Sequence, residues 1–363
     1  MYRDAEPAEL AARLGTEDEP FVLDVREPAE FAAWSIPAAV NIPLAELGAR
    51  LGEVPTDREV VTVCASGNRS SAAAEALSRS GRRVANLAGG MAGWAGVYDS
   101  VTLEFGDVRV VQVRRRGKGC LSYVVGAGDQ AVVVDPSVDV WAYTRVADEH
   151  GWKIVRVFDT HLHADHLSGA RPLAAATGAS IHLNPADTFE FDYEALSDGD
   201  AFELPGGVSF RVAAMHTPGH TRGSTVYLVG DRAVLAGDTL FVESVGRPDL
   251  ADRAEEFAHN LYRSLHDKVL SLPDDAYVLP GHYGDEVVVR PDRPVGATLG
   301  ELRLALEPLS FGEDDFVAWA TEHATSRPPN YVEIVQANMG RNAVPLAELR
   351  ALETGPNRCA VSA

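Results

Sequence analysis

The segment DTHLHADHLSG, Asp159 to Gly169, limits what this chain can fold into more sharply than any other. It places His161, His163, Asp165 and His166 within six residues, directly after the apolar run Lys153 to Phe158. A lone histidine is usually a surface residue or a satisfied core one. An H-x-H-x-D-H cluster is different, because several imidazoles beside a carboxylate gain most from a shared cation. Three further candidate ligands follow later apolar runs: His220 in HTPGHT, Asp238 in LAGDT and His282 in LPGHY. Each sits in a glycine-flanked turn, and glycine lets the backbone turn tightly enough to present a short side chain at a strand end. His182 and His216 fall outside this pattern and read as structural.

Around this cluster the chain reads as alternating strands and helices. Expected strands are Val108 to Val113, Ser122 to Val125, Ala131 to Val134, Lys153 to Phe158, Val208 to Ala214, Thr225 to Val229, Ala233 to Ala236 and Tyr277 to Leu279, with a helix over Val138 to His150. Most are followed by polar His/Asp/Gly loops, so chemistry is expected at strand ends. A smaller α/β unit precedes them, with strands Phe21 to Val25 and Val60 to Val63 and an Ala-rich helix Ser71 to Ser80. It runs to LAGGMAGW, and Asp99 and Ser100 then give a polar break. After Pro291 the chain reads as helical, over Leu299 to Leu309 and Glu313 to Ala324. The expected division is therefore residues 1–100, 101–290 and 291–363, as fits 363 residues at about 150 per domain.

Composition excludes some partners. With 53 acidic and 32 basic residues the formal charge is -21, which argues against nucleic acid or an anionic membrane as partner. The N-terminus MYRDAEPAEL lacks a basic region followed by an apolar run, and no stretch approaches the roughly 20 apolar residues of a membrane span, so a cytoplasmic location is expected. Three cysteines, Cys64, Cys120 and Cys359, are too few for a disulfide framework.

Cys64 ends the run VVTVC and opens the loop CASGNRS, which leads into the Ala-rich helix. Loop N–H groups and the positive end of a helix stabilise a thiolate there, with Arg69 adding a charge. Cys120, in GCLSYVV, reads as a core residue rather than a second nucleophile, with an approach to the metal pocket left open; Cys359 lies in a polar tail.

These residues carry two family resemblances. The seven ligand candidates make the complete set of the metallo-β-lactamase superfamily, which residues 101–290 resemble. The implied fold is an αββα sandwich with its metal site along one edge. Residues 1 to about 98 resemble the rhodanese family through DVREPAEF, IPAAVNIP, the Cys64 loop and LAGGMAGW. The four residues between Cys64 and Arg69 suit persulfide sulfur, whereas related phosphatase loops contain five. The fold class is thus α/β: a rhodanese-like domain, an αββα sandwich and a helical C-terminal extension.

Within the superfamily, THLHADHLSG and GRPDL (Gly246 to Leu250) resemble persulfide dioxygenases. That resemblance implies one Fe(II) on His161, His220 and Asp238, with His163, Asp165, His166 and His282 supporting it or holding a second metal, and Arg247, Asp249 and Tyr283 near substrate. Partners would be glutathione persulfide or another thiol persulfide, O2, and thiosulfate or sulfite at Cys64 and Arg69. The alternatives are a glyoxalase II-like hydrolase with two zinc ions cleaving a thioester, and a non-catalytic sulfur carrier or sensor. Here His282 and Tyr283 are adjacent where persulfide dioxygenases often carry a dipeptide between them, and Trp34-Ser35 stands where rhodaneses usually carry glycine-histidine. The segment from Thr298 resembles the extensions of sulfurtransferase-fused dioxygenases, and is expected to cover the site mouth or form a homodimer surface.

Overall fold

The computed structural model describes residues 2–361 except 205–207, 231, 249–252, 285–286, 324–329, 342–344, 346–347, 349–351 and 354–359; for 208–214 it describes only the backbone. Asp249 and Cys359 lie outside the described residues.

The first sheet comprises β1 (Arg3–Ala5), β2 (Phe21–Asp24), β3 (Val40–Asn41), β4 (Val60–Val63) and β5 (Val84–Leu87), all parallel in the order β1-β5-β4-β2-β3. Helices α1 (Pro7–Arg13), α2 (Pro28–Ala33), α3 (Asn68–Arg79) and α4 (Gly90–Trp94) accompany it. Its central strand β4 is wholly buried, as a parallel strand covered on both faces must be.

The second sheet holds β6 (Tyr98–Phe105), β7 (Val108–Arg115), β8 (Cys120–Ala127), β9 (Gln130–Val134), β10 (Lys153–Phe158), β11 (Ser180–Leu183) and β12 (Glu194–Ala195) side by side. The third holds β13 (Ala201–Leu204), β14 (Val208–His216), β15 (Thr225–Val229), β16 (Ala233–Gly237), β17 (Tyr277–Pro280) and β18 (Ala297–Thr298). Tyr123, Val132 and Phe158 of one sheet pack with Tyr227, Leu235 and Leu279 of the other. Helices α5 (Trp141–His150) and α6 (Ala170–Thr177) cover the outer face of the second sheet, through residues such as Tyr143 and Leu173. Helices α7 (Ala254–Arg263), α8 (Leu299–Ala305) and α9 (Glu313–Glu322) cover the third, through Leu261, Leu302 and Phe316. The layers are therefore helix, sheet, sheet, helix, as expected from the sequence. Among the described residues no helix is long and apolar enough to cross a membrane.

Two expectations change. Asp99 and Ser100 do not break the chain but lie inside β6, which pairs antiparallel with β7 along its whole length. A polar residue is stable there because Asp99 accepts from Arg114 Nε at 2.6 Å and Arg116 Nη1 at 2.8 Å. The helix expected over Leu299 to Leu309 splits into α8 and a 3-10 turn over Glu307–Ser310, where Pro308 has no N–H to continue an α-helix.

The C-terminal extension fastens the ligand loop. Asn338, at the end of α10 (Tyr331–Asn338), donates to the carbonyls of His163 and His166 at 2.9 and 2.8 Å. Buried Glu353 accepts from Leu167 N at 2.7 Å and pairs with buried Arg115 at 2.9 Å. Glu353→Gln would leave the Arg115 cation buried without a counter-charge. We expect a loss of about 3–5 kcal/mol, read as a lower urea midpoint; an unchanged midpoint would contradict the pairing.

Candidate metal centre and reactive thiol

Five loops converge at one edge of the sandwich, from the ends of β9, β10, β16 and β17 and from HTPGHT after β14. Glycine makes the approach feasible: a Cβ on Gly281 would lie 2.6 Å from Asp238 Oδ1, and one on Gly246 would lie 1.9 Å from the Asp238 carbonyl oxygen. Every metal-ligand candidate is buried.

His161, His220 and Asp238 form one group. Thr160 Oγ1 donates to Asp135 Oδ2 at 2.9 Å, so His161 Nδ1 must donate to Thr160 Oγ1, at 2.8 Å, leaving Nε2 with its lone pair. His220 Nδ1 donates to the Arg247 carbonyl at 3.0 Å, which likewise bares its Nε2. These two Nε2 atoms lie 3.7 and 3.5 Å from Asp238 Oδ2, and none of the three atoms has a hydrogen-bond partner. Ligands bonded at about 2.1 Å, at 90–110° to one another, sit roughly 3.0–3.4 Å apart, so a small inward shift closes this set on one ion. Burial, with neighbouring His163 adding, holds the His161 imidazole well below its ordinary pKa; burial also lowers that of His220. Both are neutral, as ligands must be. Burial would raise the Asp238 pKa, but His282, His161 and His220 outweigh it and keep the carboxylate ionised.

His163 is turned elsewhere. Its Nε2 donates to Asp135 Oδ1 at 3.1 Å and lies 3.8 Å from Asp159 Oδ1, forming a separate group. Burial opposes its protonation, yet those two carboxylates outweigh burial and raise its pKa well above the ordinary value. Asp165, His166 and His282 form a third group, which Cys120 joins, with ligand atoms within 4.8 Å of one another. His282 bridges the groups: Nδ1 donates to Asp238 Oδ1 at 2.7 Å, and Nε2 lies 3.0 Å from Asp165 Oδ2. Burial would raise the Cys120 thiol pKa, but His166 and His282 draw it toward thiolate.

Sequence reasoning missed Asp135 and Asp159, whereas the approach of Cys120 to the metal pocket, left open there, is what the structure shows. A signal existed for Asp135, which ends the buried run VVVD and has a left-handed backbone with φ 52°. Asp187 was missed too; it ties the loops by accepting from Leu162 N, Gly223 N and Thr221 Oγ1. Arg247 is fully buried, and Tyr283 is buried beside His282 with its N–H donating to Gly119 O at 3.1 Å. His182 stacks on Phe158 and meets Ser180 Oγ, while His216 meets the Arg222 carbonyl, so neither joins a ligand group.

In the first domain α3 begins at Asn68, directly after the loop, so its N-terminus faces Cys64 as expected. Cys64 Sγ accepts from Gly67 N at 3.2 Å and lies 3.3 Å from Ser70 Oγ. Burial would raise this thiol, but Ser70 and the N–H groups of Ser66 and Gly67 bring it below the ordinary value. The Arg69 guanidinium forks onto Glu30, with both contacts at 2.7 Å, and its charge also attracts the Cys64 thiolate, to whose stability the loop hydrogen bonds contribute.

Fold, strand-end loops and bare ligand atoms together define a metal-binding αββα protein preceded by a parallel α/β domain with a cysteine loop. The chain belongs to the metallo-beta-lactamase superfamily, which residues 115–282 match, and carries a rhodanese-like domain over residues 6–96. It is 33% identical over 208 residues to an uncharacterized protein of Mycobacterium tuberculosis, covering 48% of this chain and 90% of that one. To a hydroxyacylglutathione hydrolase of Acidiphilium cryptum it is 40% identical over 128 residues, 35% of this chain and 51% of the relative. To the mitochondrial persulfide dioxygenase ETHE1 of Bos taurus it is 25% identical over 228 residues, 61% and 84%. The crystal structure of ETHE1 from Myxococcus xanthus superposes with a TM-score of 0.57 at 26% identity, over 64% of this chain and 99% of that one.

Proposed function

We propose that the second domain is a dioxygenase with one Fe(II), oxidising the outer sulfur of glutathione persulfide or a related thiol persulfide, and that Cys64 transfers sulfane sulfur. One observation carries this reading: His161, His220 and Asp238 form an open set while His163 is committed to Asp135 and Asp159. Two histidines and one carboxylate, with the remaining positions open, are characteristic of non-haem iron oxygenases. Fe(II) held there would supply the redox chemistry that joins O2 to sulfur. In balance, one persulfide anion, one O2 and one water give one thiolate, one sulfite and two protons. The likeness to the bovine persulfide dioxygenase over 84% of its length supports the same reading.

The chain's own residues do the positioning. Thr160 and the Arg247 carbonyl fix the two imidazoles. His282, between Asp165 and Asp238, whose charges outweigh burial and raise its pKa well above the ordinary value, is placed to orient water and to donate a proton. In the first domain the Cys64 thiolate attacks the sulfane sulfur of thiosulfate, forming a Cys64 persulfide and releasing sulfite; a carrier thiol then takes the sulfur, or the sequence runs in reverse.

A second reading is a two-zinc thioester hydrolase, favoured by the Cys120–Asp165–His166–His282 group and the hydrolase-like segment. Offering glutathione persulfide and a glutathione thioester to the same iron-loaded protein separates them. Sulfite from the first and no thiol release from the second is expected; the reverse pattern rejects the dioxygenase.

A further inference from the structure

We propose that a cleft between the two domains binds a small sulfur oxyanion, sulfite or thiosulfate, with Lys118 as its counter-charge. Trp34, Ser35 and Trp94 line it from the first domain; Lys118, Gly119 and Tyr283 line it from the second.

The charge balance points to an anion. The run RRRGK, Arg114 to Lys118, buries four cations, each side chain being more than nine-tenths covered. Arg114 and Arg116 share Asp99, and Arg115 takes Glu353. Among the described residues Lys118 has neither an ion pair nor a hydrogen bond from its ammonium, although the residue is only 6% exposed. The ammonium itself is not sealed from solvent, so an anion entering the cleft meets a cation that no described protein group neutralises. Tyr283, a residue only 7% exposed that also lines the cleft, has a hydroxyl that can serve as a neutral donor.

Size and rigidity narrow the ligand. The cavity, of about 20 Å³, is only slightly larger than a single water needs, so it takes the oxygen end of a small anion rather than an extended molecule. The walls are fixed: Trp34 Nε1 donates to the Gly117 carbonyl at 3.0 Å, and a Cβ on Gly117 would lie 2.4 Å from the Trp94 carbonyl oxygen. Trp34-Ser35, the departure from the rhodanese pattern, thereby becomes part of a wall, as does the Tyr283 that directly follows His282. Gly119 and Tyr283, joined by a backbone hydrogen bond, each adjoin a member of the Cys120–His282 pair in the metal pocket. The identity of the anion rests on the proposed function, since sulfite and thiosulfate are the oxyanions both domains would handle; the presence of an anion site does not.

Calorimetric titration of the full-length, iron-loaded protein under argon with sulfite, thiosulfate and glutathione tests the site. Sulfite or thiosulfate is expected to bind about tenfold or more weakly to Lys118→Met than to wild type, and with near wild-type affinity to Lys118→Arg. Ser35→Glu, which places a carboxylate at the half-buried rim, is expected to abolish binding without threatening the core. Equal affinity in wild type and either Lys118→Met or Ser35→Glu overturns the proposal, as does binding of glutathione alone. If oxyanion binding depends on Lys118 but no persulfide is oxidised, the proposed function fails and the anion site stands.

Discussion

Asp238→Ala is expected to abolish persulfide oxidation, lowering kcat/KM by about 10³-fold or more, because it removes a ligand rather than one of the outer partners whose loss typically costs 10–100-fold. Asp238 is the only anion in its ligand group, and its two oxygens have different tasks. Oδ2 faces His161 and His220, while Oδ1 accepts from His282 Nδ1. The alanine variant therefore loses the charge that neutralises a dication and also frees His282. Iron content and sulfite release should fall together, while sulfur transfer at Cys64 continues. Retained iron with wild-type sulfite release would remove Asp238 from the site.

The complementary variant, Cys64→Ser, is expected to lose sulfur transfer by about 10³-fold or more while leaving oxidation intact. Ser70, Ser66 N and Gly67 N outweigh burial and lower the thiol pKa, which raises the thiolate fraction at any given pH. A serine hydroxyl in the same place is not ionised there and cannot carry sulfane sulfur. Thiosulfate-to-cyanide transfer beside persulfide oxidation reads both activities in one preparation. Loss of both in Cys64→Ser would contradict independent sites.

Much of this was legible because the signals were local. His161, His163, Asp165 and His166 sit within six residues, and His220, Asp238 and His282 each follow a recognisable strand and glycine turn. The Cys64 loop announced itself by its strand-loop-helix order. What stayed hidden depends on residues far apart in sequence. Nothing in the ligand motif says that His163 will turn to Asp135, because that choice is made by where β9 ends beside β10. Cys120 looked like a core cysteine until β8 and the loop after β17 placed it opposite His282. Asn338 and Glu353 reach the ligand loop from more than 170 positions away. The short strands β1 and β3 lacked the length for a periodic pattern, and Asp99 was read as a break because its arginine partners lie on and just after the next strand.

The most direct measurement follows dissolved oxygen and sulfite together in one vessel, using protein reconstituted with Fe(II) and supplied with glutathione persulfide. The account predicts one O2 consumed per sulfite formed, one iron per chain, and no turnover under argon. Equal turnover without air by protein holding two zinc ions would contradict it.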